Sequence, residues 1–115
     1  MPTQHIDLSY LERLYKGDRS RMEHWVRIYL EESPEHFRRL QDCVRRNDAE
    51  GLAMTAHDIR PLAHYLGAQG MVASLIRIGQ AARTSGAAAC AVTVEDLIVM
   101  GSAMEAELRT AFGLV

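Results

Sequence analysis

Apolar residues recur at intervals of three or four along most of this chain, and this spacing predicts a helical fold. Residues at these intervals lie on one face of an α-helix. No segment alternates apolar and polar residues as a half-buried strand does. The longest apolar stripe lies between about residues 19 and 46 and consists of Met22, Val26, Tyr29, Ser33, Phe37, Leu40 and Val44.

Residues suited to start or stop a helix separate five predicted helices. Asp18 and Asp48 are good N-caps, and Gly17 and Gly67 are typical C-terminal stops. The first helix is short and follows Asp7. The other four run over about 19–46, 49–66, 69–84 and 94–111. We therefore predict an all-α protein, an up-and-down antiparallel four-helix bundle with a short extra N-terminal helix across one end.

Pro34 and two irregular segments complete the predicted architecture. The apolar stripe keeps its phase across Pro34, so we expect one kinked helix; two helices with Ser33 as N-cap are the alternative. Residues 1–6 are expected to form a tail. A loop is expected at about residues 85–92, since Thr93 and Asp96 form a capping box for the last helix. The length of 115 residues predicts a single domain over residues 1–115.

Composition narrows the classes of function. Charged residues make up 24% and the net charge is -2, which does not indicate binding to nucleic acid or to an anionic membrane. No apolar run approaches the roughly 18 residues that span a bilayer. Cys43 and Cys90 form no CxxC pattern and are typical of reduced thiols, so we expect a cytoplasmic protein. No phosphate-binding loop of a kinase or other nucleotide-binding protein is present.

The third predicted helix carries a histidine on its outward side. His57 points about 140° away from the apolar face, and Arg60 follows one turn later. His64 lies close to the same direction. An imidazole beside a guanidinium is suited to an anionic group. The residues of the apolar face all point within about 40° of one direction, and they are Leu52, Ala56, Ile59, Ala63 and Leu66.

The segment from His57 to Ala68 resembles the motif of the histidine-containing phosphotransfer (HPt) domains of multistep two-component signalling. The family motif reads His-x-Leu-Lys-Gly-Ser-x-x-x-Leu-Gly-Ala. Leu8–Leu11, Gly17–Asp18 and Tyr29–Pro34 also look like the opening helices and turns of that family, so the resemblance covers nearly the whole chain. The matching segment here is His57-Asp58-Ile59-Arg60-Pro61-Leu62-Ala63-His64-Tyr65-Leu66-Gly67-Ala68.

The resemblance implies a phosphoryl carrier that is not a stand-alone kinase. His57 would accept a phosphoryl group from an aspartyl phosphate on a receiver domain and pass it to another receiver. Arg60, in place of the usual lysine, would screen the phosphoryl charge. The implied partners are response-regulator receiver domains and a hybrid sensor histidine kinase, docking on helices two and three around His57. No cofactor is implied, because the receiver supplies the magnesium, and we expect a monomer.

Several residues depart from the family pattern and keep other hypotheses open. Pro61 replaces the usual glycine, and Leu62 replaces a small hydroxyl residue. Gly79 stands where some members carry a glutamine or glutamate that orients the histidine, so Gln80 or water would have to do so here. A secondary role near the phosphoryl site is an alternative to a solvated surface position for His64. The second hypothesis is a non-catalytic receiver-binding adaptor, and the third is a helical interaction module unrelated to signalling.

Overall fold

The computed structural model describes residues 5–114, and these residues form a bundle of α-helices. No strand occurs within this range. The prediction of an all-α bundle is therefore confirmed. The helices are α1 (Ser9–Leu14), α2 (Arg19–Arg45), α3 (Ala49–Tyr65), α4 (Gln69–Ser85) and α5 (Ala91–Phe112), with a short 3-10 helix (Ala87–Cys90) before α5.

The four long helices pack as a ring around one core. α2 packs against α3 and α5, and α4 packs against the same two helices. Because short turns join α2 to α3 and α3 to α4, these neighbours run antiparallel. Fully buried side chains from all four helices fill the centre, among them Leu40, Leu52, Ile59, Leu75, Ile78, Leu97, Met104 and Leu108.

Capping residues define the starts of α2 and α3, as the sequence predicts. The side chain of Asp18 accepts a hydrogen bond from the backbone N–H of Arg21, and Asp48 does the same for Gly51. Gly67 has a φ of 61°, a conformation that glycine adopts without strain. α2 continues without a break through Pro34, so the expectation of one helix is confirmed and the alternative of two helices is wrong.

The expectation of an N-terminal tail is wrong at residues 5 and 6, while residues 1–4 lie outside the described part of the chain. Ile6 is only 5% exposed and belongs to the core. Its neighbour His5 contacts Glu107 on α5 twice, through its backbone N–H (3.0 Å) and its ring Nδ1 (2.5 Å). The backbone N–H of Asp7 donates to the carbonyl of Leu66 (2.8 Å). These contacts fix the segment across the end of α3.

The loop expected at residues 85–92 is also wrong. The 3-10 helix occupies residues 87–90, and α5 begins directly after it at Ala91. Thr93 therefore lies inside α5 and does not cap it. Two physical reasons explain the difference: alanine is the strongest helix former, and the small side chains of Ala87 and Cys90 are buried against the bundle.

α5 is the helix that could be mistaken for a membrane span. By length and composition the segment Ala87–Phe112 is apolar enough to cross a membrane, with a hydropathy of 1.5 over its most apolar window. The sequence interpretation missed this, because Glu95 and Asp96 interrupt the apolar runs. The inner face of α5 is buried in the bundle, and Leu97 and Met104 are inaccessible to solvent. A single helix of this kind is weak evidence for a membrane.

Candidate functional site

His57 lies in mid-α3 and is exposed, as its helical phase predicts. Its side chain faces a groove between α3 and α4 that contains two adjoining cavities, of about 190 and 610 Å³. Both cavities are lined by His57, by Arg83 of α4 and by Ala53. The small side chain of Ala53 is 3% exposed and leaves the ring open on that side.

The smaller cavity is surrounded by basic and neutral groups. His57 and Arg60 of α3 line it together with Gln80 and Arg83 of α4. Among the described residues, no aspartate or glutamate lines this cavity. The site therefore combines an imidazole, two guanidinium groups and an amide, a set of groups suited to bind an oxyanion.

The two arginines are not engaged elsewhere in the described part of the chain. Arg60 is half-buried, and its Nε is fully buried without a hydrogen-bond partner. Arg83 is exposed and forms no ion pair with any described residue. No hydrogen bond or ion pair with a described residue therefore competes with a ligand for either arginine.

Gly79 leaves open space next to His57. A Cβ atom built at Gly79 would meet nothing within 4 Å, and Gly79 lines the smaller cavity. Within residues 5–114, no hydrogen bond holds the imidazole of His57. Gln80, which the sequence suggested could orient the ring in place of a side chain at position 79, lines the cavity but is exposed. The structure therefore brings Gln80 to the site without a bond that fixes the ring.

Pro61 changes the backbone at His57. α3 continues through Pro61 to Tyr65, and proline has no N–H to donate to the carbonyl four residues earlier, which belongs to His57. Pro61 is exposed on the outer surface. Leu62 is partly buried and packs against the core. His64 is exposed and lines neither cavity at His57, so the structure does not bring it to the site.

Sequence reasoning singled out Gly79 and Gln80 of α4 but missed Arg83. Docking on α2 and α3 stays a prediction, and the groove at His57 lies between α3 and α4. Arg83 follows Gly79 by four residues, so the two share one face of α4, which was the available signal. Two large apolar side chains also flank the groove: Met54 is 66% exposed and Ile76 is 37% exposed.

The comparison with known families agrees with this geometry. The family model of the Hpt domain matches residues 24–112, which include α3, α4 and the whole groove. The chain therefore belongs to the Hpt domain family. No curated protein and no solved structure matches the chain significantly.

Membership in this family defines the general role of the chain. Hpt domains act in histidine–aspartate phosphorelays, where they interact with receiver domains and kinases. They are phosphotransfer modules and not stand-alone enzymes. The chain is accordingly a phosphotransfer module of a two-component phosphorelay.

Proposed function

We propose that His57 accepts a phosphoryl group from the aspartyl phosphate of one receiver domain and passes it to a second receiver. The observation that carries this proposal is the position of His57, exposed in mid-helix beside a cavity that two arginines line and that no carboxylate of residues 5–114 lines. Such a cavity favours the anionic phosphoryl group without repelling it.

The reaction needs little from this chain besides the imidazole. A neutral ring nitrogen attacks phosphorus with its lone pair, so no separate general base is required. The P–O bond to the aspartate breaks, the carboxylate leaves, and a P–N bond forms. The leaving carboxylate and the magnesium both belong to the receiver. In the return step a receiver aspartate attacks phosphorus, and His57 is released.

Arg60 and Arg83 would hold the phosphoryl oxygens. Arg60 lines the cavity at His57 from α3, and Arg83 lines it from α4. A guanidinium donates two parallel hydrogen bonds to an oxyanion. Gln80 adds an amide donor at the same cavity.

The receiver would dock over α3 and α4. Met54 and Ile76 are exposed large apolar residues on these two helices, and each lines one of the cavities at His57. Apolar side chains around a polar reacting group are typical of a transient interface that excludes water. A hybrid sensor histidine kinase would reach the same surface through its own receiver. We further propose that the protein acts as a monomer in the cytoplasm.

The decisive experiment is phosphoryl transfer from a panel of phosphorylated receiver domains. The wild-type protein should acquire an acid-labile, base-stable phosphate, and His57→Gln should acquire none. His64→Gln is the matched control, since it removes an exposed histidine of the same helix that lines neither cavity. Label on His57→Gln, or its loss in His64→Gln, would assign the phosphate to another residue.

Two features favour an alternative, a receiver-binding adaptor that does not transfer phosphate. Pro61 alters the backbone bonding at His57, and Gly79 leaves the ring without a partner from α4. The adaptor predicts receiver binding by the wild type without any label. In that case Pro61→Gly combined with Gly79→Gln should restore transfer, because the pair returns both positions to the pattern of active members.

A further inference from the structure

We propose that the smaller cavity between α3 and α4 binds a free oxyanion, inorganic phosphate, when His57 is unmodified. This binding is reversible and requires neither a receiver nor phosphoryl transfer. It therefore goes beyond the proposed relay function. The cavity would be an anion site in its own right, next to the residue that carries the phosphoryl group.

The buried Nε of Arg60 is the first observation that points to a ligand. This donor is inaccessible to solvent and has no partner among the described residues. A buried donor without a partner is unfavourable, and such groups are uncommon in folded proteins. No water-sized atom reaches this Nε in the unliganded protein, so the Arg60 side chain would turn towards an oxyanion in the adjoining cavity, and the N–H would then donate to it and lose that penalty.

The second observation is the combination of charge and space. Arg83 reaches the same cavity from α4, so a bound anion would be contacted by cations of two helices. The cavity of about 190 Å³ corresponds to roughly six water molecules at about 30 Å³ each. This leaves room for a five-atom oxyanion and part of its hydration shell. Gly79 contributes to the space, because it places no side chain there.

Nearby carboxylates determine on which side of Arg83 the anion would bind. Asp48 and Glu50 line the larger cavity together with Arg83, but neither forms an ion pair with it. Asp48 is occupied as the N-cap of α3, where its Oδ1 accepts the N–H of Gly51 (2.9 Å). The larger cavity is therefore less favourable for an anion than the smaller one, which no described carboxylate lines.

This site has a consequence for the relay. A free phosphate in the cavity and a phosphoryl group on His57 would share the same two guanidinium groups. The two anions would exclude each other. Free phosphate should then compete with phosphorylated receivers for unmodified protein.

The test is a titration of the unmodified protein with inorganic phosphate, monitored by NMR of the His57 ring. Chloride is exchanged for phosphate at constant ionic strength and constant pH, so that general screening and histidine protonation do not change. We expect saturable shifts of the His57 signals. Arg83→Ala should weaken phosphate binding about tenfold, the usual effect of one charge-assisted hydrogen bond.

Two further variants make the result specific. Arg77→Ala removes an exposed arginine of the same helix that lines neither cavity, and it should change the affinity less than twofold. Gly79→Leu fills the open space without a change of charge, and it should weaken binding at least tenfold. Arg83 is exposed and Gly79 faces open space, so both variants are expected to fold, which circular dichroism checks.

The outcomes separate this proposal from the relay function. Equal losses in Arg77→Ala and Arg83→Ala would show diffuse attraction to positive charge and would overturn the proposal. Shifts that never saturate would overturn it as well. Because no receiver is present, neither result depends on phosphoryl transfer, and a protein that fails to accept phosphate from receivers can still bind free phosphate.

Discussion

Pro61 offers the sharpest test of the energetics at the site, because its replacement by alanine should stabilise the protein. Pro61 lies inside α3, which continues to Tyr65, and its ring is exposed. It therefore contributes little packing while it withholds an N–H from the carbonyl of His57. Pro61→Ala supplies that N–H and completes the hydrogen-bond ladder of the helix.

The expected gain follows from two opposing effects. Proline in a helix interior is about 3 kcal/mol less favourable than alanine. Proline also restricts the unfolded chain, an effect of about 0.4–1 kcal/mol that the alanine variant loses. The net increase in the free energy of unfolding is about 2 kcal/mol. At about 4 °C per kcal/mol for a domain of this size, Tm should rise by about 8 °C.

Urea unfolding followed by circular dichroism measures this gain, with Pro34→Ala as the matched variant. Pro34 is also exposed and lies inside an unbroken helix, α2, so a similar increase is expected there. Pro61→Gly should gain about 1 kcal/mol less than Pro61→Ala, because glycine is a weaker helix former. A gain for Pro34→Ala with none for Pro61→Ala would show that the missing bond at His57 carries no penalty and would refute the reasoning.

Three further predictions concern the core. Gly101→Ala should destabilise the protein by about 1–3 kcal/mol in urea unfolding, because its Cβ would come within 2.6 Å of the Phe37 ring; an unchanged midpoint would contradict that packing. Burial, and to a lesser extent Glu105, raises the pKa of Tyr29 from 10.0 to about 12. The unfolded chain loses this proton first as pH rises, so stability should fall by up to about 3 kcal/mol between pH 10 and pH 12. In Tyr29→Phe, the free energy of unfolding should fall less between pH 10 and pH 12 than in the wild type. The same fall in both proteins would contradict this role of Tyr29. Desolvation raises the pKa of the Cys90 thiol, so a thiol reagent should label the half-buried Cys43 first; equal rates would contradict this order.

Much of the fold was predictable because it depends on local interactions. The spacing of apolar residues predicted the helices and their inner faces. The side chains of Asp18 and Asp48, which accept hydrogen bonds from backbone N–H groups three residues later, predicted where two of the helices begin. The outward position of His57 followed from the same helical phase. Each of these features depends on residues within one or two helical turns of each other. Their relative positions follow directly from their spacing in the sequence.

The remaining features depend on contacts between residues far apart in the chain. His5 contacts Glu107 across 102 positions, so no local pattern could show that the N-terminal segment is held in place. The early start of α5 likewise reflects burial of Ala87 and Cys90 against the bundle, which outweighs the capping signal at Thr93.

The cationic groove is the clearest case of this division. Helical periodicity alone places His57 and Arg60 together on the outside of α3, since they are three residues apart. Arg83 joins them only because α3 and α4 pack side by side, and the open space at Gly79 exists only between those two helices. Local sequence therefore determines which side of a helix a residue occupies, whereas the packing of helices determines which residues share a site.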